Sequence, residues 1–374
     1  MERKKVLLVA FNDLGLGGMQ SVIMNIVRNL SDEFIFDIVC FDTDRTDFDD
    51  EFKSHGGKII LAENKSFQKS LLHRLDFYVR GRRIYSELKK IIRENGPYIA
   101  VHSHKQTESG LVLKAAKECG VPVRIAHAHT AVDGKLNFVA AIYVRHLKKL
   151  LFRNATSLVG CSAGAGKSLF GEEHKFYVVY NTIDRKFLQP FDEGGKHDDP
   201  HILQVGMICE NKNQMFSADV FAELKKTYPN AKMTFIGEPK DDTMQKYSAK
   251  LVEKSKQLGI FDSMTFLPAD SDVLAELGKC DYVIFPSLTE GLGIVPIEAQ
   301  AQGVGCFVSS SVSNEVDCGG CEFLCLADGA DVWAKKIAER FELDGGKREK
   351  YDITRFMPDT IMEQYKKLYN GETI

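Results

Sequence analysis

The stretch Pro286-Ser-Leu-Thr-Glu-Gly-Leu-Gly-Ile-Val-Pro-Ile-Glu-Ala-Gln-Ala-Gln-Gly303 holds two carboxylates, Glu290 and Glu298, with seven residues between them. On one continuous helix that spacing is a little over two turns, and the two side chains could share a face. Gly291 and Gly293 argue instead for Glu290 in a loop and Glu298 on a helix that starts just after it. The amides of Leu292, Gly293 and Ile294 then point out of the helix start, toward any bound anion. A carboxylate at a strand end accepts hydrogen bonds from sugar hydroxyls, bare amides hold a diphosphate, and a second carboxylate takes a ribose diol. That set suits a nucleotide sugar. The competing reading is two surface glutamates flanking a turn.

Cys161-Ser-Ala-Gly-Ala-Gly-Lys-Ser168 also invites a chemical reading, since it follows an apolar run and contains Gly-Lys-Ser. A phosphate-cradling loop needs G-x-x-x-x-G-K-[ST], because its first glycine makes the turn that aims successive amides at the phosphates. Counting back from Gly166, that position is Cys161, and Gly160 is one residue out of register. The stretch reads as a strand-to-helix turn with Ser162 as N-cap, so an ATP-dependent kinase is not expected.

His102, His104, His127 and His129 cluster at two predicted strand ends. Both members of a His-x-His pair face one side of a strand, so four imidazoles can converge, as metal sites require. No carboxylate stands at ligand spacing, and a metal is not expected. Cys318-Gly-Gly-Cys321, with Cys325 nearby, lacks the second pair that completes a zinc set, and nine cysteines at irregular positions do not read as a disulfide framework.

These residues need elements to hold them. Of the 374 residues 44% are apolar and 27% charged, a balance that suits a soluble globular chain with two cores. Thirteen short apolar runs alternate with longer amphipathic segments: KKVLLVAF, FDIVCF, KIILA, YIAVHS, VRIAHA, TSLVG, FYVVYN, HILQVG, KMTFIG, MTFLP, YVIFP, GCFVSS and CEFLCL. Strands that are apolar throughout and separated by helices belong to parallel sheets covered on both faces. The pattern breaks once, at the polar run 189–200, which divides the chain into domains at 1–188 and 201–355, with a closing helix within 356–374. Ligands are expected at the carboxyl ends of the strands.

The formal charge of −3 divides unevenly: residues 1–190 carry 29 Lys and Arg against 21 Asp and Glu, and the remainder 20 against 31. Residues 65–93 hold nine cations and only Asp76 and Glu87, and Tyr143 to Arg153 adds four cations and no acid. Basic amphipathic segments of this kind suit an anionic membrane surface, with solvated helix faces as the alternative. Without a matching motif, nucleic acid is not expected. No apolar run reaches the roughly 18 residues of a spanning helix, and MERKKVLLVAF is too short for a signal peptide. The expectation is a cytoplasmic protein, peripheral on the inner face of the cell membrane.

TEGLGIVPIEAQAQG resembles the E-x7-E signature of retaining glycosyltransferases of family 4, which have the GT-B fold. Four further stretches match in the same order. Gly17-Gly18 resembles the N-terminal glycine turn near the donor phosphate, and Arg124-Ile-Ala-His-Ala-His129 the strand ending in a histidine near the transferred sugar. Asn181-Thr-Ile-Asp184 resembles the stretch before the linker. Lys212-Asn213 after Gly206 resemble the lysine and asparagine that follow the first strand of the donor domain.

The resemblance implies an α/β enzyme with two doubly wound parallel-sheet, Rossmann-like domains and a cleft between them. It implies transfer, with retention, of a sugar from a nucleotide sugar, foremost a UDP-sugar, to a lipid-linked or saccharide acceptor, as in bacterial exopolysaccharide and capsule synthesis. Donor binding falls to Gly17, Gly18, Lys212, Glu290, Gly291, Leu292, Gly293, Ile294 and Glu298. Catalysis falls to Glu290, which orients the sugar; to Lys212, which with the amides stabilises the departing diphosphate; and to His129, which touches the sugar, while His127 is read as structural. No metal or other cofactor is implied. The family pattern places an arginine after Gly206, and here Met207 stands instead, so that Lys212 or another cation such as Arg124 or Lys105 carries that charge. A non-catalytic nucleotide-sugar-binding protein and a nucleotide-sugar epimerase of GT-B architecture are the competing readings.

Overall fold

The computed structural model describes residues 3–10, 14–15, 17–41, 46–62, 76–130, 138–191 and 198–374, without the side chains of 76–80 and 139. All thirteen apolar runs contribute a strand, seven to one sheet and six to another. Strands Lys4–Val9 (β1), Phe34–Cys40 (β2), Ile59–Leu61 (β3), Ala100–Ser103 (β4), Val123–Ala128 (β5), Ser157–Gly160 (β6) and Tyr177–Val178 (β7) lie in the order β3-β2-β1-β4-β5-β6-β7. The second sheet takes His201–Val205 (β8), Lys232–Ile236 (β9), Met264–Leu267 (β10), Tyr282–Phe285 (β11), Gly305–Ser309 (β12) and Cys321–Leu324 (β13), in the order β10-β9-β8-β11-β12-β13. The pairings are parallel; in the centre of each sheet Val6 lies beside Ala100 and Tyr282 beside Ile202.

Both orders reverse direction once. The chain steps outward from β1 to β3 and then returns to β4 on the other side of β1, and it repeats this around β8 and β11. In sheets of this topology, ligands bind at the carboxyl ends of the strands where the order reverses, here between β1 and β4 and between β8 and β11. This topology selects the loops after β1, β4, β8 and β11 as ligand-facing.

Uniform apolarity follows from burial on both faces. Along β1, Val6 and Leu8 join a cluster with Met24, Ile26 and Tyr365. Leu7 and Val9 point the other way, into a cluster with Leu88, Ile91 and Val112. Alternate residues of one strand therefore serve two cores. The second sheet has its own core, built on Ile202, Phe221, Phe235, Ile284, Trp333 and Ile337.

The chain divides into two compact units, residues 1–182 with 358–374, and residues 183–357. The break falls before the polar run 189–200, of which residues 192–197 lie outside the described residues. The last helix, Pro358–Tyr369, belongs to the first unit. The reason is packing: the Tyr369 ring lies 5.5 Å from Phe34 and 5.9 Å from Phe36, both on β2. The Cys161 stretch is a strand-to-helix turn, in which the Ser162 side chain accepts a hydrogen bond from the Ala165 amide at 3.0 Å and caps helix Ala163–Phe170.

Candidate active site

In the second unit the loops after β8 and β11 are tied to each other. After β8 the backbone turns at Gly206, with φ +146°, so that the stem of Lys212 lies over its Cα; a Cβ there would fall 3.3 Å from Lys212 Cε. Asn213 takes a left-handed conformation, with φ 56°, which ends the short turn Glu210–Lys212 and starts helix Gln214–Thr227. Asn211 Nδ2 donates to Thr289 O at 2.9 Å, Asn213 Nδ2 to Pro286 O at 3.3 Å, and the Leu288 amide to Asn211 O at 2.8 Å. This stitching sets Lys212 Nζ 2.6 Å from Glu290 Oε1 and 4.9 Å above the Phe285 ring.

Glu290 stands in the loop, and Gly293, with φ +85°, is the N-cap of helix Ile294–Ala301. A residue with a side chain is strained at that φ, and its Cβ would press on Phe285 at 3.1 Å. No side chain caps this helix, and the amides of Leu292, Gly293 and Ile294 make no hydrogen bond among the described residues. Uncapped amides and the helix dipole together favour an anion. Gly291 precedes them. Glu298 lies one turn into the helix and does not meet Lys212. Burial pushes its carboxyl up to about 7, against the pull of Lys186, with Asp184 adding to the rise.

In the first unit, Gly17 is the N-cap of helix Gly18–Leu30, again without a side-chain cap. A Cβ at Gly17 would fall 2.6 Å from Gln20 Oε1, whereas one at Gly18 would meet nothing within 4 Å. Gly18 thus leaves open space at a helix start beside the β1/β4 switch point.

The four histidines do converge. His127 is on β5 and His129 just beyond it, while His102 is on β4 and His104 just beyond that. His104 Nδ1 lies 2.7 Å from His129 Nε2, and His102 Nε2 lies 3.1 Å from His127 Nδ1. Desolvation holds His129 down to about 4 and His102 to about 3, with His104 and His127 also well below the usual range, each of these three lowered further by neighbouring rings. All four are neutral near pH 7. Arg124, one of the alternative cations, has a guanidinium that donates to the carbonyls of Asn154 at 2.6 Å, Val121 at 2.7 Å and Pro122 at 2.8 Å. It sits at the start of β5, about 16 Å of strand from His129.

Two family models match consecutive halves of the chain: Glycosyltransferase Family 4 over residues 16–187, and Glycosyl transferases group 1 over residues 186–352. The chain belongs to the family 4 glycosyltransferases. It is 28% identical over 364 residues to the putative glycosyltransferase EpsF of Bacillus subtilis (strain 168), covering 93% of this chain and 90% of that protein. It is 26% identical over 313 residues to the capsular polysaccharide biosynthesis glycosyltransferase CapH of Staphylococcus aureus, covering 82% of this chain and 81% of that one. Among solved structures, Anabaena Alr3699/HepE in complex with UDP and glucose superposes with a TM-score of 0.78 at 16% identity, covering 98% of this chain and all of the other. That likeness shows the GT-B fold.

In this glycosyltransferase the sequence motifs gather in two places. Lys212, Glu290 and the amides of Leu292 to Ile294 assemble at the β8/β11 switch point, while Gly17, Gly18 and His129 lie at the carboxyl ends of the first sheet. The sequence did not single out Asn211 as the residue fastening the two loops, nor Phe285 beneath Lys212. Asn211, directly before the matched lysine, was the only available signal, since a side-chain amide can pair with a backbone carbonyl. No helix among the described residues is long and apolar enough to cross a membrane.

Proposed function

We propose that this glycosyltransferase moves a sugar from a UDP-sugar to a lipid-linked or saccharide acceptor in cell-surface polysaccharide synthesis, with retention at the anomeric carbon. The observation that carries the reading is the Lys212–Glu290 pair at 2.6 Å beside the uncapped start of helix 294–301. On donor binding, the Glu290 carboxylate accepts from sugar hydroxyls and Lys212 turns to the diphosphate, whose oxygens the amides of Leu292, Gly293 and Ile294 also meet. These groups are strongest toward the leaving group, where negative charge grows in the transition state. Glu298 takes the ribose diol. With amides and lysine in place, no divalent ion is required at the diphosphate. The solved relative holding UDP and glucose supports the choice of donor, and CapH supports the pathway class.

Helix Phe138–Asn154 supports a membrane-borne acceptor. Phe138, Ile142, Arg145, Lys149 and Arg153 are exposed and follow helical spacing, so that they form one stripe, apolar at one end and basic along the rest. The basic run from 65 begins outside the described residues, and its Lys89 is paired with Glu118 at 2.7 Å. The test is to screen UDP-, GDP- and ADP-sugars by thermal shift, then assign the anomeric configuration of the product by NMR. A UDP-sugar at 100 times its Kd stabilises by about 2.7 kcal/mol. An inverted product, or stabilisation by another nucleotide class alone, defeats the reading. Met207 motivates a second one, a nucleotide-sugar-binding protein without turnover, which any acceptor glycosylation removes.

A further inference from the structure

We propose that His102, His104 and His127 form a binding site for one divalent transition ion of the zinc and cobalt class. The rings are withdrawn from water, His102 and His127 at 0% exposure and His104 at 2%, and one ring nitrogen from each lies within 4.8 Å of the others. The register produces this arrangement: β4 and β5 pair Ser103 with Ala126, so the two His-x-His stretches run side by side with their rings on one face.

Two of the ring nitrogens, His104 Nε2 and His127 Nε2, are buried without a hydrogen-bond partner among the described residues. A neutral imidazole offers one N–H and one lone pair, and a buried polar atom left bare costs roughly 1–3 kcal/mol. Tracing the protons shows what these atoms offer. His102 Nδ1 lies 3.0 Å from the Tyr369 hydroxyl and His102 Nε2 lies 3.1 Å from His127 Nδ1. When His102 donates to the tyrosine oxygen, it accepts from His127 Nδ1–H, and His127 Nε2 carries a bare lone pair. When His104 Nδ1–H donates to His129 Nε2, across 2.7 Å, His104 Nε2 carries another. Two bare imidazole lone pairs beside a third ring, with Tyr365 and Tyr369 packed against His102 and His129 packed against His104 and His127, are the donor set of a nitrogen-ligated ion. With bonds of about 2.0–2.1 Å the ion draws the three nitrogens to about 3.3 Å of one another, and His102 gives up one of its two ring contacts to it. Through His104 the ion also fixes the ring of His129.

The test reads metal binding and not sugar transfer, so it stands apart from the transferase reading. Cobalt(II) is titrated into the EDTA-dialysed full chain and the visible d–d absorption is followed. One equivalent is expected to saturate the signal, with no thiolate charge-transfer band, and zinc is expected to displace it and raise the thermal midpoint. His104→Gln and His127→Gln should each weaken binding by at least about tenfold, the lower end for disturbing even a supporting residue of a metal site. Cys318→Ser should leave the titration unchanged. The proposal is overturned if one equivalent of cobalt gives no d–d absorption, if a thiolate band appears, or if both glutamine variants bind as tightly as the parent. Should those variants fail to fold by circular dichroism, the cobalt spectrum and zinc shift of the parent chain decide alone.

Discussion

Lys212 Nζ and Glu290 Oε1 lie 2.6 Å apart, with side chains only 21% and 14% exposed, although 78 positions separate them in the chain. In the proposed mechanism, donor binding exchanges this internal ion pair for contacts to the diphosphate and to sugar hydroxyls. The pair keeps two partly desolvated charges compensated until then.

Removing either partner should lower turnover and leave the fold intact. Lys212→Ala is expected to reduce kcat by more than about 2.7 kcal/mol, roughly 100-fold, as for one donor of a preorganised site. Glu290→Gln should cost about 1.5–3 kcal/mol, through loss of charge-assisted acceptance. Turnover at saturating donor, with circular dichroism as the fold control, measures both. Full activity in Glu290→Gln would remove that carboxylate from the mechanism.

Met207 follows Gly206, and its carbonyl accepts from Gln214 Nε2 at 3.0 Å, so the backbone there is fixed independently of the side chain. A guanidinium at this position meets growing charge on the leaving diphosphate and stabilises the transition state more than the ground state. Met207→Arg should raise kcat by up to about tenfold, or about 1.4 kcal/mol. An unchanged or lower kcat would show that the diphosphate is already neutralised.

Glu298 gives a pH signature. Its carboxyl is raised from 4.5 to about 7 in the fold, so between those values the folded chain binds more protons than the unfolded one. The sign follows: its contribution makes stability fall as pH rises through that window and then level off. Acceptance from the ribose diol needs the carboxylate, so UDP affinity should rise as pH passes through about 7. Calorimetric titration across that range should show the rise in the parent and a flat profile in Glu298→Gln; a rise that persists in the variant assigns the titration elsewhere.

Tyr369 fastens the last helix to β2 and touches His102. Tyr369→Ala should destabilise the first unit by about 3–5 kcal/mol, the range for emptying a large aromatic site, and Tyr369→Phe by only about 0.5–1.5 kcal/mol, one hydrogen bond. Urea unfolding distinguishes them, and equal losses would mean that the hydroxyl, not the ring, holds the helix.

Ser162→Ala should destabilise by about 1 kcal/mol, through loss of the cap on helix 163–170, and ATP should leave the thermal midpoint of either protein unmoved. A shift with ATP would return the Gly-Lys-Ser stretch to the list of ligand sites.

The strands were legible because each is buried on both faces, which writes itself as an unbroken apolar run that needs no knowledge of neighbours. Glu290 in a loop and Glu298 on a helix were legible for a similar local reason, since Gly291 and Gly293 are where a helix start must lie. The pairing of Lys212 with Glu290 was not, because it depends on β8 and β11 becoming neighbours across the reversal of strand order. Nor was the commitment of Arg124 to three carbonyls, which requires the segments around Val121 and Asn154 to meet beside β5. The last helix reads as amphipathic from sequence, but which unit receives its apolar face was decided by Phe34 and Phe36 lying open on β2. The sequence alone determined periodicity, turn chemistry and the order of motifs, all set within a few residues of chain. The tertiary structure decided which charges and rings meet, because such contacts join positions that only the strand order and register bring together.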